Sequence, residues 1–178
     1  MVKPRSPKRM TETALAEAAV SYLARFSTSS ENLRRVLRRK IIRAARHYGD
    51  DPNPLLAAAD TLVAQLVRKG MIDDAHYARS QTAALRRRGG SSRAIAAKLS
   101  QKGVDAGIQA DILADRNGSA DRDAAVRFAR RRRLGPFRAS GRTEHRLRDL
   151  AAMGRAGFDY RTASSVVDAS DAEDLGSI

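Results

Sequence analysis

Clusters of arginine are the residues of this sequence with the clearest chemical potential. Arginine supplies 28 of the 34 basic residues, and its planar guanidinium group binds phosphates and carboxylates through paired hydrogen bonds. The clusters fall into three blocks: Arg34, Arg35, Arg38, Arg39 and Lys40; Arg86, Arg87 and Arg88; and Arg130, Arg131, Arg132 and Arg133. With a formal net charge of +14, they predict an anionic partner, either a nucleic acid or an acidic protein.

Such blocks can also arise without any partner. A GC-rich genome favours arginine codons, and cations at helix C-termini complement the helix dipole, so the blocks could be ordinary solvated faces. Codon usage does not account for the size of the net charge or for its clustering, and three such blocks with a net charge of +14 exceed what solubility requires. Aromatic residues make up only 4% of the chain, which predicts poor platforms for stacking bases.

Signals of catalysis are weak in this sequence. It contains no phosphate-binding glycine loop, no nucleophile elbow and no cysteine. His47, His76 and His145 lie far apart, and Asp121 with Asp123 lacks the glycine and the distant glutamate of a calcium loop. We therefore predict no catalytic residue, no metal and no cofactor. An enzyme acting on nucleic acid stays a weaker hypothesis, since it would need carboxylates or histidines that converge in space.

Composition predicts a soluble protein of the cytoplasm. The absence of cysteine excludes disulfides and suits a reducing compartment, and a hydrophobic content of 42% argues against wholesale disorder. The apolar runs are too short to span a membrane, and no secretory core follows the N-terminus. Residues 1–10 are expected to form a disordered basic arm.

Helical spacing of apolar residues dominates the chain and predicts an all-α fold of nine helices. Ser30 is expected to cap the second helix, which carries the first arginine block. Residues expected to face the core include Leu15, Ala19, Tyr22, Phe26, Leu33, Leu37, Ile41, Ala44, Tyr48, Val63, Val67, Leu147 and Leu150.

A turn motif recurs three times between these helices. Each copy has a glycine that ends one helix in the left-handed conformation and an aspartate that caps the next helix. The copies are Gly70 with Asp73, Gly103 with Asp105, and Gly157 with Asp159. The chain also resembles itself at an offset of 62 residues, from Ser30 to Lys40 and from Ser92 to Lys102. We predict three-helix repeats at 11–69, 70–116 and 117–170, followed by a frayed acidic tail at 171–178.

Three segments resemble the RecX family, bacterial regulators of the RecA recombinase. They read LVRKGMIDDAHYA at 66–78, SRAIAAKLSQKGV at 92–104, and a segment ending in RAGF at 150–158. The resemblance extends over about residues 14–168. Two places depart from the family pattern: 47–52 lacks the expected glycine turn, and Met153-Gly154 stands where a firmer apolar pair is usual.

The resemblance implies three tandem three-helix repeats in an elongated, curved array, either right- or left-handed. It also implies binding along the groove of the RecA–single-stranded DNA filament, with inhibition of ATP hydrolysis and strand exchange, in DNA repair, homologous recombination and the SOS response. No cofactor or catalytic residue is implied. We expect a monomer whose direct DNA binding is weak. The alternative is a nonspecific DNA-binding or chromosome-associated protein.

Overall fold

The fold is all-α, as predicted. The computed structural model describes residues 6–114, 119–173 and 175–176, and all regular elements within these residues are helices. They are α1 (Glu12–Leu23), α2 (Ser30–Tyr48), α3 (Asn53–Arg68), α4 (Asp74–Arg87), α5 (Ser92–Gln101), α6 (Ala106–Leu113), α7 (Ala120–Arg132), α8 (Arg142–Arg155) and α9 (Tyr160–Val167), with a 3-10 turn at Gly135–Phe137. We refer to α1–α3, α4–α6 and α7–α9 as the first, second and third triplets.

Contacts divide the chain into two compact units. Unit 1 comprises Met1–Tyr77 with Lys102–Val104, and unit 2 comprises Ala78–Gln101 with Asp105–Ile178. The division falls inside α4 and so does not follow the predicted repeat boundaries. The three repeats stay a prediction.

Unit 1 is built around one apolar stripe of α2. Leu33, Leu37 and Ile41 recur at helical spacing and are fully buried against residues of α1 and α3 such as Leu15 and Val63. Each such side chain contributes about 2 kcal/mol through its removal from water. This packing orients α2, because burying these residues turns the opposite face of the helix towards solvent.

Three residues expected in this core are exposed instead: Phe26 by 52%, Tyr48 by 42% and Val67 by 42%. Phe26 lies beyond the end of α1, where the helical periodicity no longer applies. Tyr48 is the last residue of α2, and its hydroxyl donates to the carbonyl of Pro7 at 2.7 Å. Part of the predicted disordered arm therefore contacts α2, while residues 1–5 lie outside the described residues.

The ends of α2 also differ from expectation. Ser29, not Ser30, caps the helix, since its Oγ accepts a hydrogen bond from the Asn32 amide at 3.2 Å. At the other end Gly49 adopts a left-handed conformation with φ of +74°. The expectation that 47–52 lacks a glycine turn is therefore wrong.

Unit 2 packs α7, α8 and α9 around small and aliphatic side chains. The fully buried side chains include Ala124 and Ala129 of α7, Met153 of α8 and Val166 of α9. The small alanine side chains allow α7 to approach its neighbours closely. The predicted core position Leu147 is 76% exposed. Asp149, two residues further along α8, is buried instead, because hydrogen-bond donors surround its carboxylate.

Candidate partner-binding surface

The exposed face of α2 carries a row of cations. Arg38, Arg39, Arg43 and Arg46 lie opposite the buried stripe and are exposed to solvent. None of the four makes an ion pair with another described residue. From Arg38 to Arg46 the row extends roughly 12 Å along the helix axis at 1.5 Å per residue. We call these four residues the α2 row.

The rest of the first predicted block is placed differently. Arg34 is half-buried, and its guanidinium lies 3.6 Å from the Glu31 carboxylate and 3.8 Å from that of Asp60 on α3. Arg35 is paired with Glu31 at 3.0 Å. Lys40 is exposed and borders a small cavity beside residues 7–10. Arg34 and Arg35 therefore have partners within the chain, whereas Arg38 and Arg39 belong to the α2 row.

A shallow groove runs along the α2 row. It has a volume of about 840 Å³ and is lined by Ser6, Pro7, Arg39, Ile42, Arg43, Arg46 and His47. Ile42 is 37% exposed and gives the groove an apolar strip between cations. Such a surface suits an anionic partner that also carries some apolar area.

The second predicted block is split between structure and surface. Arg86 is largely buried, and its guanidinium donates to the Asp121 carboxylate, to the Ser92 hydroxyl and, at 3.0 Å, to the carbonyl of Gly90. Its side chain is therefore committed to holding α4, α5 and α7 together. Arg87 and Arg88 are exposed at the end of α4.

The third predicted block surrounds two aromatic rings. The guanidinium carbons of Arg131 and Arg132 lie 6.0 and 5.9 Å from the ring centroid of Phe128, and that of Arg130 lies 5.4 Å from the centroid of Phe137. These cation–π contacts hold the side chains near the end of α7. Arg133 follows the helix with a left-handed φ of +53°.

A charged cluster near this block was not predicted from the sequence. Asp149 is 1% exposed, and its carboxylate accepts from Arg138 Nε and Nη2 at 2.7 Å each and from the Gly135 amide at 2.9 Å. Burial alone would raise the pKa of Asp149, but these hydrogen bonds and the arginine charge outweigh it and hold the pKa below its usual range. An aspartate on an otherwise core-facing side of α8 is the signal that could have found the cluster.

The predicted turn residues lie where one helix gives way to the next. Gly70, Gly103 and Gly157 have φ of +70°, +71° and +91°. Asp73, Asp105 and Asp159 accept hydrogen bonds from backbone amides two or three residues ahead, at 2.7–2.8 Å. These glycines and aspartates therefore have a structural role, because they form the turns between successive helices.

Two serines at the start of α2 join the first triplet to the second, within unit 1. Ser29 Oγ donates to the carbonyl of Lys102, the residue before Gly103. Ser30 donates to the Asp74 carboxylate from its amide at 2.7 Å and from its hydroxyl at 2.6 Å. One serine therefore binds the turn after α5 and the other binds the first turn of α4.

The same arrangement recurs at the start of α5, within unit 2. Ser91 Oγ donates to the carbonyl of Ala156, the residue before Gly157, at 2.7 Å. Ser92 donates to Asp121 from its amide at 2.8 Å and from its hydroxyl at 2.7 Å. Burial would raise the pKa of Asp121, but the hydrogen bonds from Arg86 and Ser92 outweigh it, so this pKa is lowered. We call the two arrangements the serine junctions.

Clusters that could hold a metal are absent from the part of the chain that the structure describes. Among the same residues, no helix combines the length and apolar character needed to cross a membrane.

Comparison with known proteins identifies the family. Residues 73–113, which include α4, α5 and α6, match the family model described as RecX, second three-helix domain. No solved structure matches the chain significantly.

Relatives named Regulatory protein RecX match most of the chain. The protein of Myxococcus xanthus is 41% identical over 172 residues, which cover 95% of this chain and 92% of the relative. That of Agrobacterium fabrum is 33% identical and covers 78% of this chain and 77% of the relative. That of Mycobacterium avium is 30% identical and covers 90% and 89%. Their identity and coverage, together with the all-α fold, show that the chain belongs to the RecX family of regulatory proteins.

Proposed function

We propose that the chain regulates the RecA recombinase by binding the groove of the RecA–single-stranded DNA filament, thereby reducing ATP hydrolysis and strand exchange. Family membership supports the regulatory role, and the α2 row is the observation that carries the proposed mode of binding. The proposal assigns the chain no catalytic step and no cofactor, and it describes a monomer acting in the cytoplasm.

The α2 row supports this proposal because its charges are not balanced within the fold, although Arg46 in the last turn of α2 complements the helix dipole. Arg39 and Arg43 lie four residues apart, and Arg43 and Arg46 lie three apart. Like charges at these spacings each destabilise a helix by about 0.2–0.5 kcal/mol. The described residues place no carboxylate within ion-pair distance to offset this repulsion. An acidic protein groove or exposed DNA phosphate would supply the missing counter-charge.

A charge reversal within the α2 row tests the proposal. Arg39→Glu/Arg43→Glu should raise the concentration needed for half-inhibition of RecA ATPase on single-stranded DNA at least tenfold. The matched control is Arg68→Glu/Lys69→Glu, which makes the same change of charge at exposed residues in unit 1 and should shift that concentration less than threefold. Circular dichroism and the thermal midpoint establish that both variants fold. Equal effects of the two variants would remove the α2 row from the mechanism.

The α2 row also suits direct binding to DNA phosphates, which is the second candidate function. A nonspecific duplex binder should lose affinity with salt at a log–log slope of about −0.9 per phosphate contacted. The filament regulator should prefer RecA-coated DNA to bare DNA at every salt concentration. Equal affinity for both forms of DNA would favour the nonspecific binder.

A further inference from the structure

A concave pocket in unit 2 is lined by four arginines and a single carboxylate, so its positive charges outnumber its negative charge. It has a volume of about 590 Å³ and lies between the end of α7 and one face of α8. Its lining residues are Phe128, Arg132, Leu134, Arg138, Arg148, Asp149, Ala152, Arg155 and Ala156. We call it the α7–α8 pocket.

The charges of the α7–α8 pocket do not cancel. Asp149 is satisfied by Arg138 and by the Gly135 amide, so its charge is already matched. Arg132, Arg148 and Arg155 are exposed and make no ion pair with another described residue. Three guanidinium groups in one concavity therefore lack a counter-charge, and arginine retains its charge at every physiological pH.

We propose that the α7–α8 pocket binds the carboxylate side chains of an acidic protein segment. The size of the pocket suits a few side chains, since ligand pockets generally measure about 300–1,000 Å³. Its apolar members are Leu134, Ala152 and Ala156 beside the ring of Phe128. A segment in which acidic and apolar residues alternate would satisfy both the guanidinium groups and these apolar surfaces.

The pocket fits nucleic acid less well for two reasons. Binding of single strands relies on aromatic faces that stack with bases, whereas the Phe128 ring already has Arg131 and Arg132 lying over it at 6.0 and 5.9 Å. A nucleic acid strand also needs cations along a continuous track, whereas the three arginines that lack a counter-charge here lie together in one concavity. The pocket lies outside the α2 row, so the inference goes beyond the proposed function and is tested without RecA.

The test measures direct binding of a peptide by fluorescence anisotropy. The probe is a fluorescein-labelled decapeptide in which Glu and Leu alternate, and a peptide with Gln at each Glu is its neutral control. The natural chain should bind the Glu peptide at least tenfold more tightly than the Gln peptide. Arg148→Glu/Arg155→Glu should weaken binding of the Glu peptide at least tenfold, because it reverses two of the three unbalanced charges.

The control variant makes the same change of charge elsewhere in unit 2. Arg79→Glu/Arg161→Glu alters two exposed arginines outside the pocket and should weaken binding less than threefold. If the reversal of Arg148 and Arg155 prevents folding, Arg148→Gln/Arg155→Gln takes its place and should weaken binding at least fivefold.

Three results would overturn the proposal: no binding of the Glu peptide by the natural chain, equal weakening by the pocket and control variants, or loss of affinity for a labelled oligo-dT strand while affinity for the peptide is kept. The last result would make the pocket a nucleic-acid site. RecA inhibition by the same variants is a separate measurement, so the proposed function stands or falls independently.

Discussion

Replacing Gly103 by alanine should destabilise unit 1 far more than the same change at Gly70. The two glycines have nearly equal φ, +71° and +70°, and each follows a lysine. Alanine at either position therefore incurs about the same cost of a left-handed backbone, about 1 kcal/mol. The surroundings differ: a Cβ at Gly70 meets no atom within 4 Å, whereas one at Gly103 lies 2.3 Å from Cγ and 2.6 Å from Cβ of Glu31.

Glu31 cannot relieve this clash by moving only the tip of its side chain. Its Cβ is fixed by the backbone of α2, and its carboxylate is paired with Arg34 and Arg35. Overpacking of this kind costs about 1–3 kcal/mol. We therefore expect a loss of about 1 kcal/mol in the free energy of unfolding for Gly70→Ala and about 2–4 kcal/mol for Gly103→Ala.

Urea denaturation monitored by circular dichroism measures both losses on the same unit. Adding Glu31→Ala to Gly103→Ala removes Cγ but keeps Cβ, so a double-mutant cycle should recover about 1 kcal/mol as coupling energy. Equal losses for the two glycine variants would show that the Lys102–Val104 turn does not press on α2, and the first serine junction would then not be a tight contact.

The remaining predictions concern unit 2. Asp121 and Asp149 have lowered pKa values, so their stabilising contacts are fully present above the ordinary aspartate pKa of about 3.9 and are lost as the pH falls through their lower folded values. The urea concentration at the midpoint of unfolding should therefore fall once the pH is lowered below about 4. The Asp121→Asn variant should have a lower urea midpoint at pH 7, and its midpoint should fall less steeply as the pH is lowered. If the midpoints of this variant and of the natural chain fell in parallel with pH, the stabilising role of the Asp121 carboxylate would be contradicted. Arg133→Gly should raise the thermal midpoint by about 2–4 °C, because glycine removes about 1 kcal/mol of left-handed strain at φ of +53°; an unchanged or lower midpoint in calorimetry would count against it.

Much of the fold follows from patterns local to the chain. The spacing of Leu33, Leu37 and Ile41 predicts the buried face of α2, and these residues are indeed fully buried. Local patterns fail at helix ends: Phe26 lies beyond the last residue of α1 and Tyr48 is the last residue of α2, so helical periodicity no longer determines where these side chains lie. They also cannot distinguish Ser29 from Ser30 as the cap, because both are small hydroxyl residues and only the position of Asp74 separates their roles.

The candidate surfaces could be predicted only in part. The helical pattern correctly gives the exposure of Arg38 and Arg39, since they lie opposite the core stripe. It gives no sign that Arg86 turns inwards, because its partners Ser92 and Asp121 are 6 and 35 residues away. The α7–α8 pocket could not be predicted for the same reason. It combines residues from the end of α7 with residues spread along α8, and no local sequence motif shows that these residues lie close together.

The serine junctions carry a consequence for how such a chain can change in length. Both use the same contacts, a serine on the carbonyl before a left-handed glycine and a serine on an aspartate of the next triplet. At the start of α8 the serines are replaced by Gly141 and Arg142, and Arg142 donates to the carbonyls of Val167, Ala169 and Ser170 near the end of the chain. A duplicated middle triplet would therefore find a matching surface on both neighbours, whereas a triplet placed after the third would find no serine pair at the start of α8. Duplication of the middle triplet would lengthen such a protein internally, one triplet at a time, and each new junction would use the serine contacts that already exist.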